Sequence, residues 1–363
     1  MHIARLDAVT FRNFEQSSFF FSPEFNFIYG ENAQGKTNLL EAVYLFGGGK
    51  SFRVRRERDV IQFGQTQAHL QARVYTQGRE QRLDAFFYTH KRRLLQANGV
   101  ALQSPREMVG RLPGIFFGPE ELQIIRAGGS LRRRFLDVAL CQLRPRYLAA
   151  LSAYNRVYAH KLSLLKSNAD KQTLWVYNQK LAELSCVLIP MRAWLLSLLT
   201  PLASQLHRDM AGGREAILLR YVTQAGTDPL ALTQTEMNER FCRLLEDKKE
   251  AEAASQRLLI GPHRDDFDTL LENRHVKDFG SQGQTRTAAL ALHLALREIF
   301  KEELGAYPLL LLDDVLSELD AGRQDYIVNH LTEGQILLTC CDDRGLARVK
   351  IGNTIHMKEG RGV

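Results

Sequence analysis

The chain has 363 residues, 45% of them hydrophobic and 25% charged, which describes a soluble globular protein with room for two ordinary cores. The formal charge of +7, with a pI near 9.2, suits an acidic partner such as nucleic acid. The five cysteines, Cys141, Cys186, Cys242, Cys340 and Cys341, form no C-x-x-C pair, which excludes a zinc-ribbon spacing and a disulfide framework.

From the N-terminus, Met1 to Asp7 lacks an apolar signal core. Ile3–Val9 alternates as a strand, and Phe11-Arg12-Asn13-Phe14 follows it at a turn. Phe25–Tyr29 is short, aromatic and β-branched, so it reads as a strand. It runs into Gly30-Glu31-Asn32-Ala33-Gln34-Gly35-Lys36-Thr37, which matches the phosphate-loop pattern G-x-x-x-x-G-K-[ST] at every fixed position. Asn38–Phe46 then carries apolar residues at helical spacing. Glycines let backbone N–H groups turn inward around an anion, and the helix N-terminus adds its partial positive charge. Lys36 is placed to reach β- and γ-phosphates, and the Thr37 hydroxyl to ligate Mg²⁺.

After this helix come Gly47-Gly48-Gly49 and a basic run containing Arg53, Arg55, Arg56 and Arg58. His69–Tyr75 and Arg82–Tyr88 read as strands of an antiparallel sheet, Lys91-Arg92-Arg93 ends the second, and Asn98-Gly99 marks a tight hairpin. Charge runs are usually solvated faces, but these lie at strand ends beside a phosphate loop and together form a candidate anionic-ligand surface. Ile115–Leu122 is an apolar strand that stops at Gly118-Pro119, and from Leu131 to Leu206 the pattern is helical nearly throughout, opening with Arg132-Arg133-Arg134. The change of texture sets a boundary near residue 122. The most apolar window, Cys186–Leu202, is broken by Pro190, Arg192 and Pro201, so it reads as a buried helix rather than a bilayer span, and a cytosolic protein without a membrane partner is expected. Met210–Tyr221 and Arg257–Phe267 are mixed, with a polar helical stretch between them.

Ser281-Gln282-Gly283-Gln284 enters a strongly helical segment, with Ser281 suited to the N-cap. Pro308–Leu312 reads as a fully buried parallel strand ending in Asp313-Asp314. Ligands of open α/β sheets bind at such carboxyl ends. Asp313 is positioned to hold Mg²⁺ and Asp314 to orient or activate water. Ser317-Glu318-Leu319-Asp320 follows, and Ile336–Thr339 is the last apolar strand recognised.

The order of phosphate loop, Ser-Gln-Gly-Gln helix start, Asp-Asp strand and Ser-Glu-Leu-Asp turn resembles the SMC-like group of ABC-type ATPases, and more closely the RecF family of bacterial recombination mediators. The likeness runs essentially end to end, through Phe11–Phe14, Gly30–Ala42, Ser51–Arg53, Arg132–Asp137, Gly261–Asp266 and Asp313–Asp320. It implies an α/β ABC-type ATPase head with a mixed-sheet lobe, a mainly helical second lobe and no long coiled coil. Residues 1–122 and 300–363 would form the ATPase lobe and 123–299 the helical lobe. Arg12, Asn13 and Asn32 would flank the phosphates of ATP, Ser281–Gln284 would act in trans on a second protomer, and Asp320 would lie at the dimer interface. The family further implies ATP-driven dimerisation on gapped or junction DNA, single- or double-stranded. It also implies RecO and RecR as partners, help in loading RecA, and roles in replication restart and the SOS response. DNA would cross Arg53, Arg55, Arg56, Lys91, Arg92, Arg93 and Arg132–Arg134. Cys340 or Cys341 stands where ABC ATPases carry a switch histidine, so hydrolysis should be slow, a weak DNA-dependent ATPase.

Three other readings remain at this stage. A transporter subunit predicts a Leu-Ser-Gly-Gly-Gln signature and a switch histidine, and both are missing. A small-molecule kinase gives no reason for Ser281–Gln284 or the Ser317–Asp320 turn. An SMC-like ATPase of another pathway, such as anti-phage defence, shares the same motifs.

Overall fold

The computed structural model describes every residue except Arg55, Gln77, Asn168, Arg214, Thr227, residues 342–351 and Val363, so Arg55 of the basic run lies outside the described residues. Two compact units divide the chain: Met1–Gln123 with His293–Val363, and Ile124–Leu292.

In the first unit the chain forms β1 (His2–Phe11), β2 (Phe14–Phe20), β3 (Phe25–Tyr29), α1 (Lys36–Gly48), β4 (Gln67–Thr76), β5 (Arg79–Tyr88), β6 (Leu94–Ala97), β7 (Val100–Ala101) and β8 (Gly114–Phe117). The second unit holds α2 (Gly129–Leu143), α3 (Pro145–Lys166), α4 (Lys171–Met210), β9 (Ile217–Val222), α5 (Gln234–Asp247), α6 (Lys249–Ser255), β10 (Asp266–Leu271), β11 (Arg274–His275), α7 (Val276–Phe279) and the start of α8 (Gln282–Leu304). The chain then returns to the first unit through β12 (Leu309–Asp313), α9 (Ala321–His330), β13 (Ile336–Cys340), β14 (Asn353–Lys358) and β15 (Arg361–Gly362).

Among the described residues, unit one contains two six-stranded sheets. One, ordered β2-β1-β4-β5-β6-β7, is antiparallel, as the alternating strands predict. Asn98 (φ 52°) and Gly99 (φ 79°) make the left-handed pair that a two-residue hairpin needs. The other, ordered β15-β14-β3-β13-β12-β8, is parallel apart from β15. Every residue of β12 is buried, because the strand has neighbours on both edges and α1 on its face. Helix α1 packs against β12, β8 and β13 and also touches β4 of the antiparallel sheet, which is why it is apolar nearly all round rather than on one stripe. Gln335, fully buried, ties the loop before β13 to β1: its side chain exchanges bonds with the Ile3 N–H (2.8 Å) and C=O (2.7 Å).

Two sequence expectations change here. Ile336–Cys340 is not the last strand, since β14 adds to the open edge of β3 and β15 folds back on it. Its polar-apolar alternation, Asn353 to Lys358, has only Ile355 and Met357 buried, so it lacks the apolar run of an inner strand. Helix α4 is not interrupted either: its 40 residues run through both Pro190 and Pro201. By length and composition it is apolar enough to cross a membrane, but half of that window is buried and α2, α3, α5 and β9 pack on it.

Candidate functional site

Parallel pairing sets the carboxyl ends of three neighbouring strands side by side, with Tyr29 of β3 opposite Cys340 of β13 and Thr339 of β13 opposite Asp313 of β12. The phosphate loop leaves β3, Asp313-Asp314 ends β12, and Cys341 follows β13. This is the sheet edge at which α/β folds bind ligands.

Within the loop, Ala33 (φ 66°) and Gly35 (φ 107°) adopt left-handed conformations that turn successive amides to one side. A Cβ on Gly35 would lie 2.8 Å from the Asn13 side chain, and one on Gly30 would lie 2.4 Å from the Met357 carbonyl, so both glycines are dictated by close approach. Lys36 is buried, and its ammonium donates to the carbonyls of Gly30 (2.5 Å) and Glu31 (2.9 Å). Thr37 Oγ1 donates to Asp313 Oδ1 at 3.0 Å, and Thr339 Oγ1 donates to the same oxygen at 2.8 Å while accepting from the Asp314 amide at 2.9 Å. Burial pushes the Asp313 carboxyl above the ordinary carboxylate range and the Asp314 charge adds to this, while the bonds from Thr339 and Thr37 pull it back. Asp314 is held at φ 52°, a conformation uncommon for a residue with a side chain. The Cys341 thiol lies 3.0 Å from Asn32 Oδ1 and 3.4 Å from Asp314 Oδ2; burial and Asp314 raise its pKa, so it stays protonated and donates.

Behind the loop is a second layer. Arg12, at φ 53°, makes a bidentate pair with the fully buried Glu41 of α1 (2.8 and 2.7 Å), and its third nitrogen donates to the Asp59 carbonyl (2.7 Å). Ser51 Oγ donates to Glu41, and Asn38 links Asn13 (2.7 Å) to Arg53 (2.6 Å). Gln34 is clamped from the far side, its carbonyl accepting from the Gly360 amide (3.1 Å) and its side chain from the Glu359 amide (2.5 Å). Arg12 is therefore bonded to Glu41, and Asn13 supports the loop through the Gln34 carbonyl (3.2 Å). Glu41, Ser51, Asn38, Thr339 and the β14–β15 turn carry the site without having been assigned roles from sequence. Glu41 and Ser51 sit inside quoted motifs, so a signal for them existed.

In the second unit, Ser281 and Gln284 cap α8 reciprocally: the Gln284 amide donates to Ser281 Oγ (3.2 Å) and the Ser281 amide to Gln284 Oε1 (2.8 Å). Gln282 and Gly283 form the exposed and half-buried start of that helix. Asp320, back in the first unit, caps α9 through the Arg323 amide (3.1 Å).

The basic residues separate into two groups. Arg56, Arg58, Lys91 and Tyr88 line one cleft, Lys91 Nζ lies 3.8 Å from the Tyr88 ring centre, and Arg92 and Arg53 are exposed. Arg93 also borders the cleft, but its side chain is 7% exposed and bonded to Glu57 (3.2 Å) and the Gly49 carbonyl (2.6 Å). Arg132 is buried, paired with both oxygens of Asp266 (2.6 and 2.8 Å) and bonded to the carbonyls of Ile124, Ile125 and Ala127. Its guanidinium is spent inside the unit and corrects the expectation of a solvent-facing cluster at that position. Arg133 is half-buried against the Asp265 carbonyl (2.7 Å), and Arg134 is exposed.

The chain matches the RecF/RecN/SMC N terminal domain family over residues 2–360. It is 38% identical to the DNA replication and repair protein RecF of Symbiobacterium thermophilum, over 98% of each chain. Two solved structures, of the recombination mediator protein RecF-ATPrS and of RecF-ATP in the RecFOR pathway, superpose with TM-scores of 0.93 and 0.92 at 30% identity; they cover 99% and 100% of this chain, which covers 97% of each. With the phosphate loop, the Asp-Asp strand end and the capped Ser281 helix all in place, the chain belongs to the RecF family of DNA replication and repair proteins, with the SMC-type ATPase head fold.

Proposed function

We propose that this protein is an ATP-dependent DNA-binding factor of recombinational repair, in which Mg-ATP closes two copies into a dimer on gapped or junction DNA. The observation that carries the reading is the meeting of Thr37 and Asp313, 3.0 Å apart, beside a loop whose glycines are dictated by packing. ATP is the nucleotide supported by the RecF-ATP relative. The amides of residues 30–37 would cradle its phosphates and Lys36 would neutralise them. Thr37 and Asp313 offer hard oxygen donors, and Asp313 is a carboxylate that burial disfavours, so the pair fits Mg²⁺. When bound, the ion supplies charge neutralisation at the β- and γ-oxygens. Asp314 would orient the attacking water and accept its proton. A protonated Cys341 thiol beside it offers no cationic charge, in keeping with slow, DNA-dependent hydrolysis.

On this reading residues 1–122 and 300–363 are the ATPase lobe and 123–299 the helical lobe. Ser281–Gln284 and Asp320 of a second copy would complete the γ-phosphate site, with Asn32 beside it. A γ-phosphate contacted by both copies stabilises only the closed state, and hydrolysis releases it. DNA would cross the cleft of Arg56, Arg58 and Lys91 with Arg53 and Arg92, its phosphates giving affinity without sequence preference. RecO and RecR are the expected partners, in the cytoplasm, toward RecA loading, replication restart and the SOS response.

Sedimentation with and without Mg-ATP tests the switch. Dimerisation should appear with ATP, vanish in Lys36→Met and Ser281→Arg, and persist longer in Asp314→Asn. A wild-type protein that stays monomeric with both ATP and gapped duplex would return Ser281 to the role of a plain helix cap.

A further inference from the structure

Phe63 is the most exposed large apolar side chain among the described residues, at 103% of its reference area. A single exposed phenyl is unremarkable by itself. Its mounting is not. The Gln65 amide donates to the Gln62 carbonyl (3.0 Å), closing a turn in which Gly64 (φ 82°) takes the left-handed position and Phe63 the corner. Both flanks of the turn are fastened to the antiparallel sheet. Ile61 bridges to Phe11, the Gln62 amide donates to the Thr10 carbonyl (2.9 Å), and the Thr66 carbonyl accepts from the Thr89 amide (3.1 Å). The ring is thus held out on a stiff corner. The same fastening places it at the sheet end where β5 runs out into Lys91 and Arg92, and just after the segment carrying Arg56 and Arg58.

An apolar ring at a sheet end that also carries cations matches one ligand chemistry closely: a base face flanked by phosphates. In a continuous duplex every base face is already stacked, and a fixed ring could reach one only after unstacking it, at a cost of a few kcal/mol. Where a duplex ends in a single strand, the last base pair presents a face without that cost. We infer that Phe63 stacks on the terminal base pair of a duplex at a single-strand junction, while Arg56, Arg58, Lys91 and Arg92 hold the adjoining phosphates. Phe63 then makes the cleft discriminate junctions from plain duplex. This rests on the DNA-binding reading of the cleft given above.

The test uses the full chain with Mg-ATP and two DNAs, a relaxed, covalently closed circular duplex and the same circle carrying a single-strand gap. Wild type should favour the gapped form. Phe63→Ala should reduce that preference about tenfold, equivalent to about 1.4 kcal/mol, while leaving closed-circle affinity unchanged. Phe63→Trp should keep the preference, and its emission in excess of wild type should be quenched by gapped DNA and not by the closed form. Arg56→Glu with Lys91→Glu should weaken both DNAs alike and lower the salt slope. If Phe63→Ala keeps the full preference, or weakens capture of RecR while both DNA affinities hold, the stacking role is overturned although the cleft still binds DNA. If wild type binds neither DNA, the DNA-binding reading itself fails, and the stacking role with it.

Discussion

Two polar networks are each built around an arginine–carboxylate pair and behave differently. Behind the phosphate loop, the Arg12–Glu41 pair is buried only on the Glu41 side, and the layer in front of it, Asn32, Asp314 and Cys341, is held by few bonds and reaches the surface. In the second unit, Arg192 is almost wholly buried within α4, bonded to Asp137 (2.9 and 3.0 Å), Tyr147 (2.9 Å) and the Pro262 carbonyl (2.6 Å). Tyr221 donates to Asp265 (2.7 Å), and Lys161 pairs with Glu252 at 2.5 Å, each of that pair 1% exposed. The first network leaves hydrogen-bonding capacity at a strand edge; the second spends nearly all of its capacity internally, with Asp265 Oδ1 left as a buried oxygen without a partner among the described residues. A ligand site and a scaffold are distinguished by what remains unspent, rather than by which residues are present.

The largest expected effect follows from breaking the closed network. Asp137→Leu leaves the Arg192 guanidinium buried without its main counter-charge, and removing one partner of a buried ion pair costs about 3–5 kcal/mol. Urea unfolding followed by hydrogen exchange should show protection lost in α2, α3 and α4. The Lys36→Met change should instead abolish nucleotide binding with stability nearly intact. Equal stability losses in the two variants would erase the distinction between the networks.

Arg12 sharpens the comparison because it touches both scaffold and site. Arg12→Ala removes the nearest counter-charge of the fully buried Glu41, leaving it the Ser51 hydroxyl and Arg53 at 3.8 Å, frees the Asp59 carbonyl, and should cost about 2–3 kcal/mol without nucleotide. Glu41→Gln removes the buried charge and keeps one acceptor oxygen for the guanidinium, while its NH2 faces the other N–H, and should cost less than that. Exchange of amides 57–66 should rise in the alanine variant. If stability is unaffected and only ATP affinity falls, Arg12 is a phosphate ligand whose pairing with Glu41 is incidental.

The phosphate loop and Asp313-Asp314 were legible from sequence because each is a local pattern: a strand, a fixed spacing and a helix, or an apolar run with carboxylates at its end. The parallel strands β12 and β13 were legible for the same reason. Less visible was whatever depends on a distant partner. The β14–β15 turn clamps Gln34 from 325 positions away, and nothing in Glu359-Gly360 announces it. Basic runs are blind in a similar way, since Arg92 and Arg93 are adjacent in sequence but one is exposed and the other is fixed by Glu57 and Gly49. The motifs Arg132–Asp137 and Gly261–Asp266 looked functional, and the structure makes them two sides of one interior: Arg132 pairs with Asp266, Arg133 meets the Asp265 carbonyl, and Asp137 and Pro262 share Arg192.

The smallest expected effect comes from the histidine of that interior. The Leu258 carbonyl can only accept, so His263 Nε2 carries the proton (3.1 Å) and Nδ1 accepts from the Tyr154 hydroxyl (2.7 Å). The neutral ring is therefore satisfied on both sides. Burial lowers its pKa from 6.5 to about 4, and the positive charges of Arg264, Arg133 and Lys161 act in the same direction. Between those values the unfolded chain binds more protons at this position than the folded one, so stability rises with pH across the window and is lost as pH falls through it. From pH 6.5 to 5, above the range where carboxylates dominate, the loss should be about 1.5 kcal/mol, read from urea midpoints. His263→Gln should flatten that slope while lowering the plateau at pH 7. A slope of the same sign that survives the substitution would assign the acid sensitivity to groups other than His263, and Asp313 at the nucleotide edge is not one of them. Because burial raises the Asp313 pKa, it contributes with the opposite sign: the folded state holds the proton more tightly, and stability falls as pH rises through its window. The sign of the residual slope therefore tells which of the two networks carries the pH dependence.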